Sequence, residues 1–269
     1  MKHFNSLVLT GLESEDGVVP GECREHSVGV ARYRGAPYQD CEYLLDRLCE
    51  WLNGLELPDG QSENMQFSLA VLKAIVAHVY LAWIHPFGDG NGRTARLVEM
   101  QLLLRSGFVP LPAAFVLSNH YNQTRDKYYR ELDKSSKSGG DLGSFISYAM
   151  QGFVDGLREQ LSVIRKQQWD VTWQNYVHEA FRDQDTVTSR RRKRLVLAMP
   201  EEPIGRNDLK MVNAKVAADY ANKGDKTLSR DLNALVEMGL LRKTGRAYFA
   251  YREQILAFLP PKSIPESTA

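Results

Sequence analysis

Before Asp183, apolar residues recur mainly at helical spacing. Leu44, Leu45, Leu48, Trp51 and Leu52 form one stripe, and Leu69, Leu72, Ile75, Val76 and Val79 form another. Both predict core helices. Pro86 disfavours α geometry at His85, so the second helix ends there and gives way to a glycine-rich turn. A new helix starts near Asn91, turns Leu97, Met100 and Leu104 toward a core, and stops at Ser106-Gly107, where the glycine suits a left-handed cap. Further helical patterns run from about Gln123 to Leu132 and from Leu142 to Ile164. Strand signals are scarce. The clearest follows the Pro/Gly-rich stretch from Gly17 to Gly21, where Val28 to Arg34 partly alternates and runs into Gly35-Ala36-Pro37, predicting a short hairpin.

The composition shifts after Asp183. Ser189-Arg190-Arg191-Arg192-Lys193-Arg194 opens a segment in which basic residues outnumber acidic ones, and a domain boundary is placed there, giving domains 1–183 and 184–269. In the second domain Val216 to Tyr220 predicts one short helix and Thr227 to Met238 another. Gly239 ends the latter, and Leu241 to Tyr251 alternates around Thr244-Gly245 as a small hairpin. Helix, helix and hairpin in that order predict a winged helix-turn-helix. The fold class expected for the whole is mainly α.

Length and charge narrow the classes. With 269 residues the chain can build two hydrophobic cores without metal or disulfide staples. Lysine plus arginine number 34 against 33 aspartate plus glutamate, so no global field favours nucleic acid or a membrane surface. Cys23, Cys41 and Cys49 are odd in number and lack C-x-x-C spacing, which argues against a disulfide framework and a structural zinc site. The N-terminus lacks a long apolar signal, and no run of about eighteen apolar residues occurs, so a soluble cytoplasmic protein is expected.

The chemistry concentrates in His85-Pro86-Phe87-Gly88-Asp89-Gly90-Asn91-Gly92-Arg93-Thr94-Ala95-Arg96. Gly88, Gly90 and Gly92 let the backbone approach a ligand, and the free N–H groups of the new helix form an anion site. Phosphate is the ligand that fits. Arg93 and Arg96 lie on one helical face beside that terminus, where their planar forks suit the oxygens of more than one phosphate. Asp89 supplies a hard oxygen among anions, the usual way Mg²⁺ is held together with substrate phosphates. His85 is a candidate base for an attacking hydroxyl at neutral pH. The stretch lacks the Gly-Lys pair of a P-loop, completes no G-x-G-x-x-G, and offers Phe87 where a calcium loop needs its first ligand.

In every defining position these twelve residues resemble the Fic motif, H-P-F-x-(D/E)-G-N-G-R-x-x-R, and the likeness extends over roughly Pro20 to Leu157. The resemblance implies a Fic helical core with a short β-hairpin flap, about residues 25–38, that binds ATP and Mg²⁺ and transfers AMP to a Ser, Thr or Tyr hydroxyl of a target protein. By that likeness His85 is the base, Asp89 the magnesium ligand, and Gly90, Asn91 and Gly92 the anion hole. Arg93 and Arg96 hold the β- and γ-phosphates, with Thr94 and Ala95 between them in the nucleotide-binding stretch. Val30, Ala31, Arg32 and Tyr33 correspond to the flap edge over the nucleotide, on which a target segment is laid as an added strand. Tyr128 and Tyr129 stand where the family often lines its adenine pocket, although a tyrosine pair on a helix equally suits a core. Ser136 stands where many relatives carry an asparagine near the nucleotide.

The resemblance also frames control and partners. Many relatives restrain themselves with a helix bearing (S/T)-x-x-x-E-(G/N), whose glutamate pairs with the second motif arginine, here Arg96. The only Glu-Asn pair in this sequence is Glu63-Asn64, and Asp59 stands four residues before that glutamate. Activity without an activating partner is therefore expected. The partners are a target protein on the flap, with a second copy of the chain, a separate inhibitor carrying that helix, and DNA at the winged helix left open. The alternative function is a transcriptional regulator or toxin-antitoxin component, in which the core senses nucleotide and Thr227, Ser229, Arg230 and Asn233 read a groove beside the basic run.

Overall fold

A computed structural model describes residues 1–13, 17–30 and 33–258. It is mainly α-helical and divides into two compact units, Met1–Leu161 and Ser162–Ala269. The first unit begins with α1 (Lys2–Leu9), then the two-residue strands β1 (Gly29–Val30) and β2 (Tyr33–Arg34), paired antiparallel with Gly29 opposite Arg34. Helices α2 (Cys41–Gly54), α3 (Glu63–Ile84), α4 (Asn91–Arg105), α5 (Leu111–Ala114), α6 (Val116–Gln123) and α7 (Arg125–Lys137) follow, and α8 (Gly143–Ala180) runs on into the second unit. The region of α5 and α6, and α1 itself, carried no apolar period strong enough to be expected as helix.

Helix α3 organises this unit. Ser62 caps it by accepting a hydrogen bond from the Met65 amide. Val71, Ala74, Ile75 and Val79 enter one apolar cluster with α6 and α8, while Ala77, Leu81 and Ile84 enter a second with α2 and α4. From Val71 to Ile84 the helix is buried on opposite faces, which accounts for a length and composition that would suffice to cross a membrane. The expected stripes are shifted in detail. Trp51 is exposed, and the fully covered face of α4 is Ala95, Val98 and Leu103, with Leu97, Met100 and Leu104 half-buried. Close approach of α8 to α6 requires two glycines. A Cβ on Gly152 would lie 2.2 Å from the His120 ring, and one on Gly156 2.4 Å from Val116 Cγ1.

The second unit takes the rest of α8 together with α9 (Val187–Ala198), β3 (Ile204–Gly205), α10 (Ala214–Tyr220), α11 (Asp225–Glu237), β4 (Leu241–Thr244) and β5 (Ala247–Ala250). The sheet order is β3-β5-β4, antiparallel throughout. The division falls at Leu161 rather than Asp183, inside α8. Trp173 and Val177 of that helix, with Phe181, bury themselves among Leu195, Leu232 and Ile255 of the second core. Packing thus outweighs the composition shift as a boundary signal. All three cysteines are free thiols.

The arginines of the basic run are paired within their own unit. Thr186 and Ser189 cap each other's backbone amides and start α9 within it. Arg190 pairs with Asp185 at 2.6 Å, Arg194 with Asp219 at 2.6 Å, and Arg191 and Arg192 both reach Asp231 at 2.8 Å. Asp231, whose side chain is 2% exposed, also accepts from the Tyr220 hydroxyl at 2.9 Å. Burial alone would push its carboxyl up, but the three donors outweigh that and hold it below the usual carboxylate value. The sign follows: the pairing stabilises the fold at every pH above the unfolded value of 3.8 and is lost as pH falls below it. Asp231→Asn keeps the shape and strands two arginines. The expected cost to the second unit is about 3 kcal/mol or more, the usual result of removing one partner of a buried pair, measured as a lowered urea midpoint of its transition at neutral pH.

Candidate active site

The site is the reversal between α3 and α4. His85 caps α3 with its amide on Leu81 O and a left-handed backbone, φ 49° and ψ 55°. It is the sole non-glycine residue with positive φ among the described residues, and such a conformation is held only where its surroundings enforce it. Pro86 blocks a further helical turn. The chain then passes Phe87, buried in the α2–α3–α4 core, and re-enters a helix at Asn91 through Gly90, whose φ of 76° favours glycine.

Three buried polar side chains hold this turn. Asn91 closes it from within: its Oδ1 accepts from the Phe87 amide at 2.9 Å, and its Nδ2 donates to the Phe87 carbonyl at 2.7 Å. Asn5 of α1, fully buried, donates to Asp89 O at 2.9 Å and Thr94 Oγ1 at 3.2 Å, and accepts from the Gly21 amide. Arg24, 4% exposed, donates its Nε–H to the His85 carbonyl at 2.7 Å. Residues 23 and 24 also lie beside the turn like a strand, with Cys23 bridged to Phe87 and the Arg24 amide on Pro86 O.

Fixed in this way, the turn leaves its reactive groups outward. At the start of α4 the amides of Asn91, Gly92 and Arg93 precede that of Thr94, the first to find a helical acceptor, at Gly90 O; no side chain caps them, and a Cβ on Gly92 would meet nothing within 4 Å. That is an open anion site. Asp89 stands beside it with one oxygen on the Gly90 amide and the other 2.8 Å from Arg93 Nη2. Among the described residues no ion pair or hydrogen bond is formed by the Arg96 guanidinium. The His85 Nδ1 faces the Ala82 carbonyl at 3.3 Å, which favours a proton on Nδ1 and a lone pair on Nε2. Burial, and secondarily the Arg24 charge, push the His85 pKa below 6.5 against this hydrogen bond, so the imidazole is neutral at pH 7.

The remaining expected residues are placed as follows. Thr94 is buried against Asn5, and Ala95 is fully buried in the core, so their side chains face away from the open turn. Val30 and Tyr33 form the paired strands of the hairpin, while Ala31 and Arg32 lie outside the described residues. Tyr129 is exposed on α7. Tyr128 is half-buried, its hydroxyl 3.0 Å from His78 Nε2. Beneath α4 a buried network continues from there: His78 Nδ1 lies 3.5 Å from Glu99 Oε2, and the Tyr121 hydroxyl donates to Glu99 Oε1 at 2.9 Å. Burial raises the Tyr128 hydroxyl pKa, and Glu99 adds to this, while the Arg96 charge opposes it. Ser136 is half-buried beside Ser135, which is buried.

Asn5, Arg24 and the Glu99 network escape a reading of sequence alone. A carboxylate within the covered face formed by Ala95, Val98 and Leu103 was the one available signal, since charges are rarely buried without partners.

The chain is similar to several known proteins. Over 143 residues the chain is 35% identical to the protein adenylyltransferase fic-1 of Caenorhabditis briggsae, covering 51% of this chain and 24% of that one. It is 34% identical over 133 residues to the protein adenylyltransferase Fic of Drosophila melanogaster, covering 49% and 24%. The chain thus spans about a quarter of the length of these curated relatives. A solved Fic family protein from Desulfovibrio desulfuricans G20 gives a TM-score of 0.48 at 22% identity, covering 91% of this chain and 66% of that one. Residues 1–103, which contain the whole reversal from His85 to Arg96, match the model of the Fic/DOC family.

Proposed function

We propose that this chain is a protein adenylyltransferase that moves AMP from ATP onto a side-chain hydroxyl of a target protein. The observation that carries the reading is the convergence on one turn of a neutral imidazole with a free Nε2, an open helix N-terminus and a carboxylate-arginine pair. The curated relatives' names supply the reaction class.

The turn's own groups divide the work. The polyphosphate lies against the amides of Asn91, Gly92 and Arg93, where the aligned peptide dipoles favour negative charge. Arg93 and Arg96 neutralise the outer phosphates with forked hydrogen bonds. Asp89 fits a magnesium ion carried in with the nucleotide: it is a hard, part-exposed oxygen donor, and each of its oxygens keeps a lone pair after bonding Gly90 and Arg93. Such an ion supplies charge neutralisation at the phosphates. The target hydroxyl oxygen attacks the α-phosphorus, its proton passes to His85 Nε2, and the bond to the bridging oxygen of the β-phosphate breaks to release pyrophosphate. Val30 to Tyr33 would present the target segment by strand addition. For the second unit we favour a winged helix that recognises a protein, because the arginines of the basic run are already engaged by carboxylates of its own unit.

The direct test is incubation of the chain with α-labelled ATP, Mg²⁺ and a cell extract, followed by mass spectrometry of the labelled proteins; no label on any protein would overturn the assignment. His85→Ala should lower transfer by at least about a hundredfold while ATP binding is retained. In the parent protein the acid limb of kcat/KM should have its midpoint below 6.5, since the depressed pKa keeps the base form to lower pH. A midpoint above 6.5 would reassign the base.

Asp89→Ala should raise the Mg²⁺ concentration needed for half-maximal rate, because the ion is then held by phosphates and water alone. Titration of Mg²⁺ against rate for both proteins measures this, and coincident curves would make Asp89 a purely structural part of the turn.

A further inference from the structure

Arg24 is an arginine almost wholly removed from water, and no carboxylate among the described residues pairs with it. Its donors go to main-chain carbonyls of three separate segments. The Nε–H meets His85 O at 2.7 Å, Nη1 meets His26 O at 2.5 Å, and Nη2 meets Ala36 O, with Ile84 O at 3.4 Å. Ile84 and His85 are the C-terminal end of α3, where unpaired carbonyls and the helix dipole favour a cation. His26 and Ala36 are the two legs of the hairpin, one before β1 and one after β2.

A buried guanidinium is tolerated only when its donors are used, so this arrangement specifies the relative positions of those segments. Lysine would offer a charge but no planar fork. A second contact makes the fit closer. A Cβ on Gly35 would stand 3.0 Å from Arg24 Nη2 and 3.1 Å from His85 Cβ, so the exit leg of the hairpin rests directly on both residues. The Gly35 amide closes the hairpin base on Val28 O at 3.2 Å.

We propose that Arg24 is a positioning residue that locks the base of the hairpin to the backbone of His85, keeping a target segment laid on the flap in register with the imidazole that accepts its proton. This rests on the transferase reading above. Holding the His85 carbonyl fixes the left-handed peptide that aims the ring, and holding His26 and Ala36 fixes the height of the flap over it. The polyphosphate and Mg²⁺ bind chiefly through α4 and Asp89, which Arg24 does not touch, so the clamp acts on the geometry of transfer far more than on nucleotide affinity.

The test compares Arg24→Lys, Arg24→Gln and Gly35→Ala in the full chain. Gly35→Ala wedges the clamp without removing charge, and its backbone conformation is open to alanine. Two structural readouts need no activity: hydrogen exchange at the Gly35 amide, and the NMR titration of the His85 ring, on which Arg24 is the charge that acts. Both arginine variants should speed Gly35 exchange at least tenfold, with amides of the second unit unchanged. Arg24→Gln should also raise the His85 midpoint. In transfer assays all three should lose at least tenfold in kcat with the ATP Kd within twofold, and Arg24→Lys should recover little of what Arg24→Gln loses.

Folded Arg24→Gln protein with parental Gly35 exchange and His85 titration would overturn the clamp, as would activity falling only in step with ATP affinity. If the arginine variants do not fold, parental kcat in Gly35→Ala would overturn it. If the parent transfers nothing, the adenylyltransferase reading fails while exchange and titration still decide whether Arg24 joins the hairpin to His85.

Discussion

The reversal between α3 and α4 must answer two opposed demands. Its amides at Asn91, Gly92 and Arg93 have to stay free for a ligand, yet the rest of its backbone is too deeply placed to be answered by water. Buried backbone groups need partners. Here the partners are side chains, Asn91 from within the turn and Asn5 and Arg24 from the preceding chain. Everything the site can do depends on that division between satisfied and unsatisfied backbone. The left-handed His85 belongs to the same economy, because its conformation costs about 1–3 kcal/mol and persists only where neighbours enforce it.

Electrostatically the turn is self-balanced before any ligand arrives. Asp89 and Arg93 cancel one another across 2.8 Å, both partly exposed, so their mutual attraction is modest and easily exchanged for phosphate and metal. Arg96 is the charge left over, and below it the Glu99 carboxylate sits in the core among His78 and Tyr121. The acidic side chain three residues along the same helix from Arg96 is thus answered by His78 and Tyr121 in the core, and the arginine is left to face the turn.

Much of this was legible in the sequence. The break at Pro86, the restart near Asn91 and the glycine stop at Gly107 rest on local backbone rules, and each stands where expected. The hairpin from Val28 to Arg34 and the pair of short helices before the last hairpin follow from period and turn chemistry in the same way. What failed did so for tertiary reasons. Trp51 fits the apolar stripe of α2, yet 43% of it stays exposed. Residues 165–180 continue α8 because Trp173 and Val177 find a core contributed by α9 and α11, a fact absent from their own spacing. Arg191, Arg192 and Arg194 gave no sign of their partners, because the counter-charges Asp231 and Asp219 come from helices further along the chain. Asn5 and Arg24 were illegible because a polar residue announces its burial only through partners, and their partners in the turn and in α4 lie some sixty to ninety positions away.

That distance bears on what a motif is. Asn5 reaches across 84 positions to the Asp89 carbonyl, and Val18 lies so close to Gly88 that a Cβ there would stand 2.8 Å from its methyl. The twelve letters from His85 to Arg96 name the reactive groups, but the mould that shapes them is the first two dozen residues. Grafted between two helices of a foreign scaffold, the stretch would carry its chemistry and lose its curvature. A transplant that works would have to bring α1 and the Gly21 to Arg24 segment with it, as one inseparable cassette.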